Sequence, residues 1–240
     1  MTAAPRAAPA ADTDQPPHLR LLGRFDVYVG DQPLELAANS QRLIALLALR
    51  PAGERRVTVA GTLWPERSES RAGANLRSVM FRLPQSIRAH ILATPTKLTL
   101  YPAWTSDFAA LRASSMAARQ DGDVADLDLA LLESDLLPDW DEGWLAADRA
   151  RLHQIRVHLL ESRARHELRN GDARIAVEVA LAAVQADPLR ESAQQLLIEA
   201  ELELGNRAAA LQRFHRFRDE LLDAFGIEPS RSLRQLVEFT

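Results

Sequence analysis

In the segment RAGANLRSVMFRLP, Arg71, Asn75, Ser78 and Arg82 recur at i, i+4, i+7 and i+11. On a helix turning about 100° per residue, that spacing sets them in one row. Ala72, Leu76, Val79, Met80 and Leu83 form an apolar stripe beside the row, and Arg77 lies on a third flank. The chemistry open to such a row is hydrogen bonding, with no bond made or broken. Arginine offers paired donors to a guanine edge and asparagine a donor and an acceptor to an adenine edge, and serine adds a hydroxyl for a base or a phosphate. Solvated helix faces carry the same residue types routinely, so the row alone leaves both readings open.

The other reactive side chains point to less. Carboxylates crowd the stretch DGDVADLDLALLESDLLPDWDEGWL. Asp121 and Asp123 flank a Gly turn, Asp126 and Asp128 stand where a helix can start, and Asp139 and Asp141 precede another. Each has an ordinary capping role, and a solvated acidic face that keeps this part off DNA phosphates is the expected outcome. His166-Glu167 opens like a zinc-protease helix, but Asn170 stands where the second histidine ligand would be. No two histidines are spaced i, i+3 or i, i+4, so His153, His158, His166 and His215 are expected on helix flanks. The chain has no Gly-Lys pair for a P-loop, no dinucleotide fingerprint and no Gly-x-Ser-x-Gly elbow. No catalytic residue, metal or cofactor is expected, and the chain is not read as an enzyme.

Charge distribution favours the first reading of the row. The net charge of −4 is an average over unlike segments. Residues 19–104 hold 12 basic and 6 acidic side chains, a net of +6; residues 105–150 hold 3 and 11, a net of −8. A basic block of this kind permits an acidic protein to bind nucleic acid. The chain has no cysteine, which rules out disulfides and thiolate sites. It shows no apolar run long enough to span a membrane and no signal peptide, so a cytoplasmic location without membrane contact is expected. Residues 1–18, rich in Ala and Pro, read as a disordered tail.

The elements that must position the row follow from periodicity. Three strands are expected near 19–22, 25–29 and 33–36, with a turn at Gly30-Asp31. Asn39 or Ser40 can cap a buried helix over SQRLIALLALR; Thr58 can cap a short one over VAGTLW; Ser68 or Ser70 can cap the helix that carries the row. RAHILA and KLTLY flank Thr94-Pro95-Thr96 as a hairpin. Strands, three helices and a hairpin make a winged helix over residues 19–104, in which the third helix enters the major groove. Gly73 weakens that helix by up to about 1 kcal/mol relative to Ala, and close approach of a partner to the backbone is one compensation.

From Glu142 onward the pattern is helical, with breaks at Asn170-Gly171-Asp172, Asp187-Pro188, Gly205-Asn206 and Gly226. Gly171 and Gly205 are 34 residues apart, the tetratricopeptide period. Ala176, Ala180 and Ala183 follow the first; Ala210, Phe214 and Phe217 follow the second. Antiparallel helix pairs stacked into a short right-handed array are expected over residues 105–240. Such an array docks a peptide or protein, or packs only on itself and its neighbour.

Both ends together resemble the SARP-type antibiotic-regulatory activators, which join a winged helix of the response-regulator type to a tetratricopeptide-like bacterial transcriptional activation domain. The N-terminal residues that carry the resemblance are LLGRFDV, RLIALLAL, LWP and RAGANLRSVMFRL. The C-terminal ones are LLPDWDEGWLAADRARL, ADPLRESAQQLLIEAELELGNRAAALQRFHRFRDELL and FGIEPS. The resemblance implies a mostly helical fold with small sheets, and activation of transcription, often of secondary-metabolite genes. It implies binding to repeated sites on double-stranded promoter DNA and contact with RNA polymerase. It sets Arg71, Asn75, Arg77, Ser78 and Arg82 on the recognition helix, and Lys97 beside the wing tip within reach of a minor-groove phosphate. The helical array would contact polymerase or a second protomer, which leaves a homodimer on DNA open. The wing tip is short, and neither a P-loop nor a phospho-acceptor receiver is seen, so regulation by ATP or phosphorylation within this chain is not expected. The rival expectation is a protein-interaction module whose helical array binds a peptide or ligand and whose winged helix reads no DNA.

Overall fold

Alternate residues are buried in Pro17–Arg20 (β1) and Asp26–Val29 (β2), the period of a sheet covered on one face. In the computed structural model, which describes residues 16–120, 124 and 127–238, these strands pair antiparallel with Leu19 opposite Val27. The stretch expected as a tail therefore gives up Pro17 and His18 to β1; its first 15 residues lie outside the described part. Gln32–Pro33 (β3) continues the sheet beyond β2.

Ala38–Ala48 (α1) buries Leu43, Ile44, Leu46 and Leu47. It starts behind Ala37 with no side-chain cap, so Asn39 and Ser40 lie in its first turn. Glu54–Arg55 (β4) leads into Arg56–Leu63 (α2), which takes Thr58 inside the helix and away from a capping role. Glu69–Arg82 (α3) begins after Ser68, whose hydroxyl makes no cap bond; Glu69 in the first turn complements the helix dipole. A turn of helix, Gln85–Arg88 (α4), precedes the hairpin Ile91–Ala93 (β5) and Lys97–Leu100 (β6). The expected hairpin over Thr94–Thr96 is present: Lys97 N–H donates to Thr94 Oγ1 at 2.9 Å and Thr94 N–H to the Lys97 carbonyl at 2.9 Å. β4 adds to β6, giving the order β4-β6-β5. Its attachment depends on Gly53, with φ of +74°; a Cβ there would stand 1.9 Å from Thr99 Oγ1 and 2.7 Å from the Leu98 carbonyl oxygen.

Thr105–Ser106 (β7) returns to lie parallel to β1, so the first sheet runs β3-β2-β1-β7. Asp107 opens the next helix, Asp107–Ala118 (α5), and is buried. Its carboxylate accepts the backbone N–H groups of Leu21 at 2.9 Å, Leu22 at 2.9 Å and Phe108 at 2.7 Å. A buried carboxylate is tolerable on such terms because every donor it meets is a peptide N–H with no better partner.

The chain forms two compact units, Met1–Ala110 with Glu133–Arg149, and Leu111–Leu132 with Ala150–Thr240. The division read from composition, at 104/105, instead gives 105–110 and 133–149 to the helical part. What holds 133–149 to the first unit is specific. Leu136 forms a bridge with Leu22, and Leu136 and Leu137 are fully buried. Phe25 stacks on Trp140 at 5.6 Å. Within the stretch itself, Arg149 donates to the carbonyls of Leu136 at 3.0 Å, Leu137 at 2.6 Å and Trp140 at 2.8 Å and fixes its path. Glu142 accepts from Arg42 at 2.9 Å and from the Trp144 indole at 2.8 Å. It stands before the short 3₁₀ turn Gly143–Leu145 but makes no side-chain cap bond there. Asp128, by contrast, caps Leu129–Glu133 (α6) through Ala130 N–H at 3.0 Å. Asp121, Asp123 and Asp126 lie outside the described residues.

The second unit is helical. Ala146–Asn170 (α7) runs into it, followed by Ala173–Ala186 (α8), Glu191–Glu203 (α9), Arg207–Phe225 (α10) and Arg231–Glu238 (α11). The period of 34 recurs in the hydrogen bonds. Asp172 N–H donates to the Glu167 carbonyl at 2.9 Å, and Asn206 N–H to the Glu201 carbonyl at 2.9 Å. Gly171 and Gly205 donate likewise to Leu168 and Leu202. Both turns close their helices in the Schellman manner. Ala176, Ala180 and Ala183, and their counterparts Ala210, Phe214 and Phe217, are all buried. Small residues in one repeat and phenylalanines in the next fill unequal gaps between neighbouring helices. The architecture is the expected one, a winged helix-turn-helix followed by a tetratricopeptide-like array.

Candidate nucleic-acid interface

The core fixes how α3 is turned. Ala72, Leu76 and Val79 are 1%, 2% and 8% exposed, and Leu83 closes the stripe one residue past the helix. The opposite direction runs through Ser70, Ala74, Arg77, Ser78 and Phe81, all exposed. Arg71 and Arg82 are exposed on one shoulder, while Asn75 is half-buried between shoulder and core. The predicted row is therefore split. Arg71, Ser78 and Arg82 face solvent, Asn75 only in part, and Arg77 stands nearer the centre of the outward face than Asn75. The reason is that Met80 is only half-buried: the buried stripe centres on Ala72, Leu76, Val79 and Leu83, and the outward direction turns towards Arg77.

Arg77 also lines a groove of about 1010 Å³. One wall is Glu69, Ser70 and Gly73 of α3; the others are Arg56 and Val57 of α2 and Thr94 and Pro95 of the hairpin. A Cβ added at Gly73 would meet nothing closer than Arg77 Nη1 at 3.7 Å, an ordinary contact. No packing among the described residues thus requires a glycine there. Arg56 ties α2 to the hairpin, its N–H to the Thr96 carbonyl at 2.9 Å and its Nη1 to the Thr94 carbonyl at 3.1 Å. Lys97 is exposed at the start of β6, opposite Arg55 in the sheet register. The hairpin thus carries Lys97, Arg55 and Arg56 together. Arg82 stands apart from that cluster, lining a hollow of about 250 Å³ with Ala38–Ser40 and Pro84.

Two contributors escaped sequence reasoning. The Arg55-Arg56 pair spans the end of β4 and the start of α2; its charge was visible, but its place at the hairpin depends on β4 pairing with β6. Phe81 lies outside the apolar stripe read from the sequence and had no role there; it is 80% exposed. Its spacing of i+5 from Leu76 was the available signal, since that step leaves the buried face.

Asn170, which interrupts the zinc-protease pattern, donates to His166 Nε2 at 2.8 Å. Among the described residues no three His, Cys, Asp or Glu side chains gather as a metal site, and no helix is long and apolar enough to cross a membrane.

Residues 106–238 match the family model of the bacterial transcriptional activator domain. The chain belongs to that family. Its first unit puts a winged helix ahead of the bacterial transcriptional activator domain, the SARP-type order read from the sequence. Regulatory protein AfsR of Streptomyces coelicolor is 31% identical over 223 residues, covering 84% of this chain and 22% of the relative. Regulatory protein AfsR of Streptomyces griseus is 29% identical over 237 residues, covering 90% and 24%. The chain spans about a quarter of the length of these curated relatives. A solved structure of Mycobacterium tuberculosis EmbR in complex with a low affinity phosphopeptide superposes with a TM-score of 0.73 at 20% identity, over 94% of this chain and 65% of that one. That likeness shows the fold alone.

Proposed function

We propose that the protein is a sequence-specific DNA-binding transcriptional activator, with no enzymatic role, acting in the cytoplasm on promoters that include those of secondary-metabolite genes. The observation that carries the proposal is the exposed side of α3, where Arg71, Arg77, Ser78 and Arg82 all face solvent and Arg77 lines a groove walled by the hairpin. A major groove about 12 Å wide admits one helix, and the shoulder arginines then meet phosphates while residues at the centre meet base edges. Lys97, Arg55 and Arg56 supply phosphate contacts from the hairpin. The proposal keeps the division of labour between the winged helix and the array, the latter contacting RNA polymerase or a second copy of the chain on repeated sites.

The test begins with enrichment of bound duplexes from a random pool by the full chain. Arg77→Ala is then compared with wild type on the enriched site and its single-base variants. It is expected to cost about 1–3 kcal/mol and to relax preference at a single base pair. Enrichment of no sequence, together with capture of RNA polymerase, would favour an interaction module that reads no DNA.

A further inference from the structure

We infer that Phe81 reads the C5 methyl group of a thymine in the major groove; the inference rests on the DNA-binding reading above. A phenyl ring left 80% exposed on a well-packed helix is unusual company for its neighbours. Met80 and Leu83 on either side turn inward, to half-buried and buried positions. Phe81 alone is carried to the outward face, in line with Arg77 and Ala74 at i−4 and i−7 and beside Ser78 at i−3.

The surroundings of the ring decide what it fits. A protein-binding face would continue with further large apolar side chains around an aromatic anchor. Here the other exposed residues of the same helix are Glu69, Ser70, Arg71, Ala74, Arg77, Ser78 and Arg82, none of them a large apolar side chain, and Arg88 donates from Nη1 to the Phe81 carbonyl at 3.3 Å. A single apolar ring within a field of arginines matches a surface that is anionic at its rims and apolar at isolated points. Duplex DNA is such a surface, and the thymine methyl is the apolar group on its major-groove edges. A phenyl contact to a thymine methyl adds, to arginine contacts with guanine, a preference for T over bases that lack the C5 methyl at one position.

The experiment uses the full chain and the duplex enriched from a random pool. Each thymine of the site is replaced singly by deoxyuridine, which lacks only the C5 methyl. Wild type is expected to lose about fourfold in affinity at one thymine, the value of one buried methyl. Phe81→Ala is expected to bind the thymine and deoxyuridine duplexes equally at that position, while its salt dependence and its affinity for random duplex stay as in wild type. Phe81→Leu should keep part of the discrimination. Circular dichroism of Phe81→Ala should match wild type, since the ring contributes little to the core. Discrimination retained in full by Phe81→Ala, or no thymine at which the methyl matters, would overturn the inference while leaving DNA binding intact. Absence of any duplex binding by wild type would overturn the DNA-binding reading itself.

Discussion

The guanidinium of Arg50 donates at 2.8 Å to the carboxylate of Asp148, which is 2% exposed and lies 98 residues further along the chain. Arg50 follows α1, and Asp148 lies in the first turn of α7, where the helix dipole also favours a negative charge. The two sides of this pair are not equivalent, because Arg50 keeps access to water and Asp148 does not. Arg50→Ala should therefore destabilise the first unit by about 3 kcal/mol, since it strips compensation from a buried carboxylate. Asp148→Asn should cost less, about 1–2 kcal/mol, since the guanidinium left behind can hydrate. Urea unfolding of both variants checks the order, and a costlier Asp148→Asn would contradict it.

Acid should unfold the helical array in two steps. Burial lowers the pKa of the His158 imidazole below its ordinary 6.5, with Arg119, Arg165 and Arg190 adding to the effect and Glu161 opposing it. The neutral ring is thus favoured in the fold, and the associated stability is complete above about pH 6.5 and declines below it. For Glu161, burial alone would raise the carboxyl, but hydrogen bonds from Arg190 and Ser192 and the charges of Arg190 and Arg165 outweigh it, leaving it below 4.5. Arg190 Nε approaches Glu161 Oε1 at 2.6 Å. Its contribution is present above about pH 4.5, the value expected of the unfolded chain, and is lost as pH falls through the lower folded value. Thermal midpoints followed from about pH 8 to about pH 3 should fall first below 6.5 and more steeply below 4.5. His158→Gln should flatten the first decline and Glu161→Gln the second. A wild-type midpoint constant down to about pH 4 would contradict both assignments.

Two glycines of the first unit should respond in opposite directions. Gly53→Ala forces a Cβ into the Thr99 side chain and the Leu98 backbone at a φ of +74°, at a cost of about 2–4 kcal/mol. Gly73→Ala meets only the end of Arg77 and should stabilise α3 by up to about 1 kcal/mol. The added methyl projects at the groove wall, so duplex binding by Gly73→Ala should weaken despite the firmer fold. Denaturation and binding measured on the same preparations separate the two effects; a Gly73→Ala variant that is both more stable and unchanged in binding would show that no partner approaches there.

Much of this fold was legible because its signals are local. The stripe Ala72, Leu76 and Val79 repeats at helical spacing, and the turns at Gly171 and Gly205 carry their own glycines. The winged-helix order of elements follows from such runs. Pairings between distant residues were not legible. β4 is two residues, Glu54 and Arg55, without an apolar alternation, and it exists only because Gly53 lets it approach β6. The attachment of 133–149 rests on Glu142 with Arg42 and on Leu136 with Leu22, each pair about a hundred residues apart. Composition marked that stretch as acidic, and capping was the local explanation. In the candidate interface, the row of polar residues was visible, but its rotation was not. Half-burial of Met80 turns Asn75 inward and brings Arg77 and Phe81 to the front.

The central claim is that α3 and the hairpin hold duplex DNA, and affinity measured against salt tests it most directly. Each neutralised phosphate releases counterions, so a plot of log affinity against log salt should be linear with a slope near −0.9 per phosphate contact. For the full chain, affinity for the enriched duplex should fall by at least about tenfold between about 50 and 200 mM salt. Lys97→Ala should reduce the slope by about 1 and weaken enriched and random duplexes alike, whereas Arg77→Ala should weaken the enriched duplex more. Affinity independent of salt, or no duplex binding at about 50 mM salt, would contradict the account.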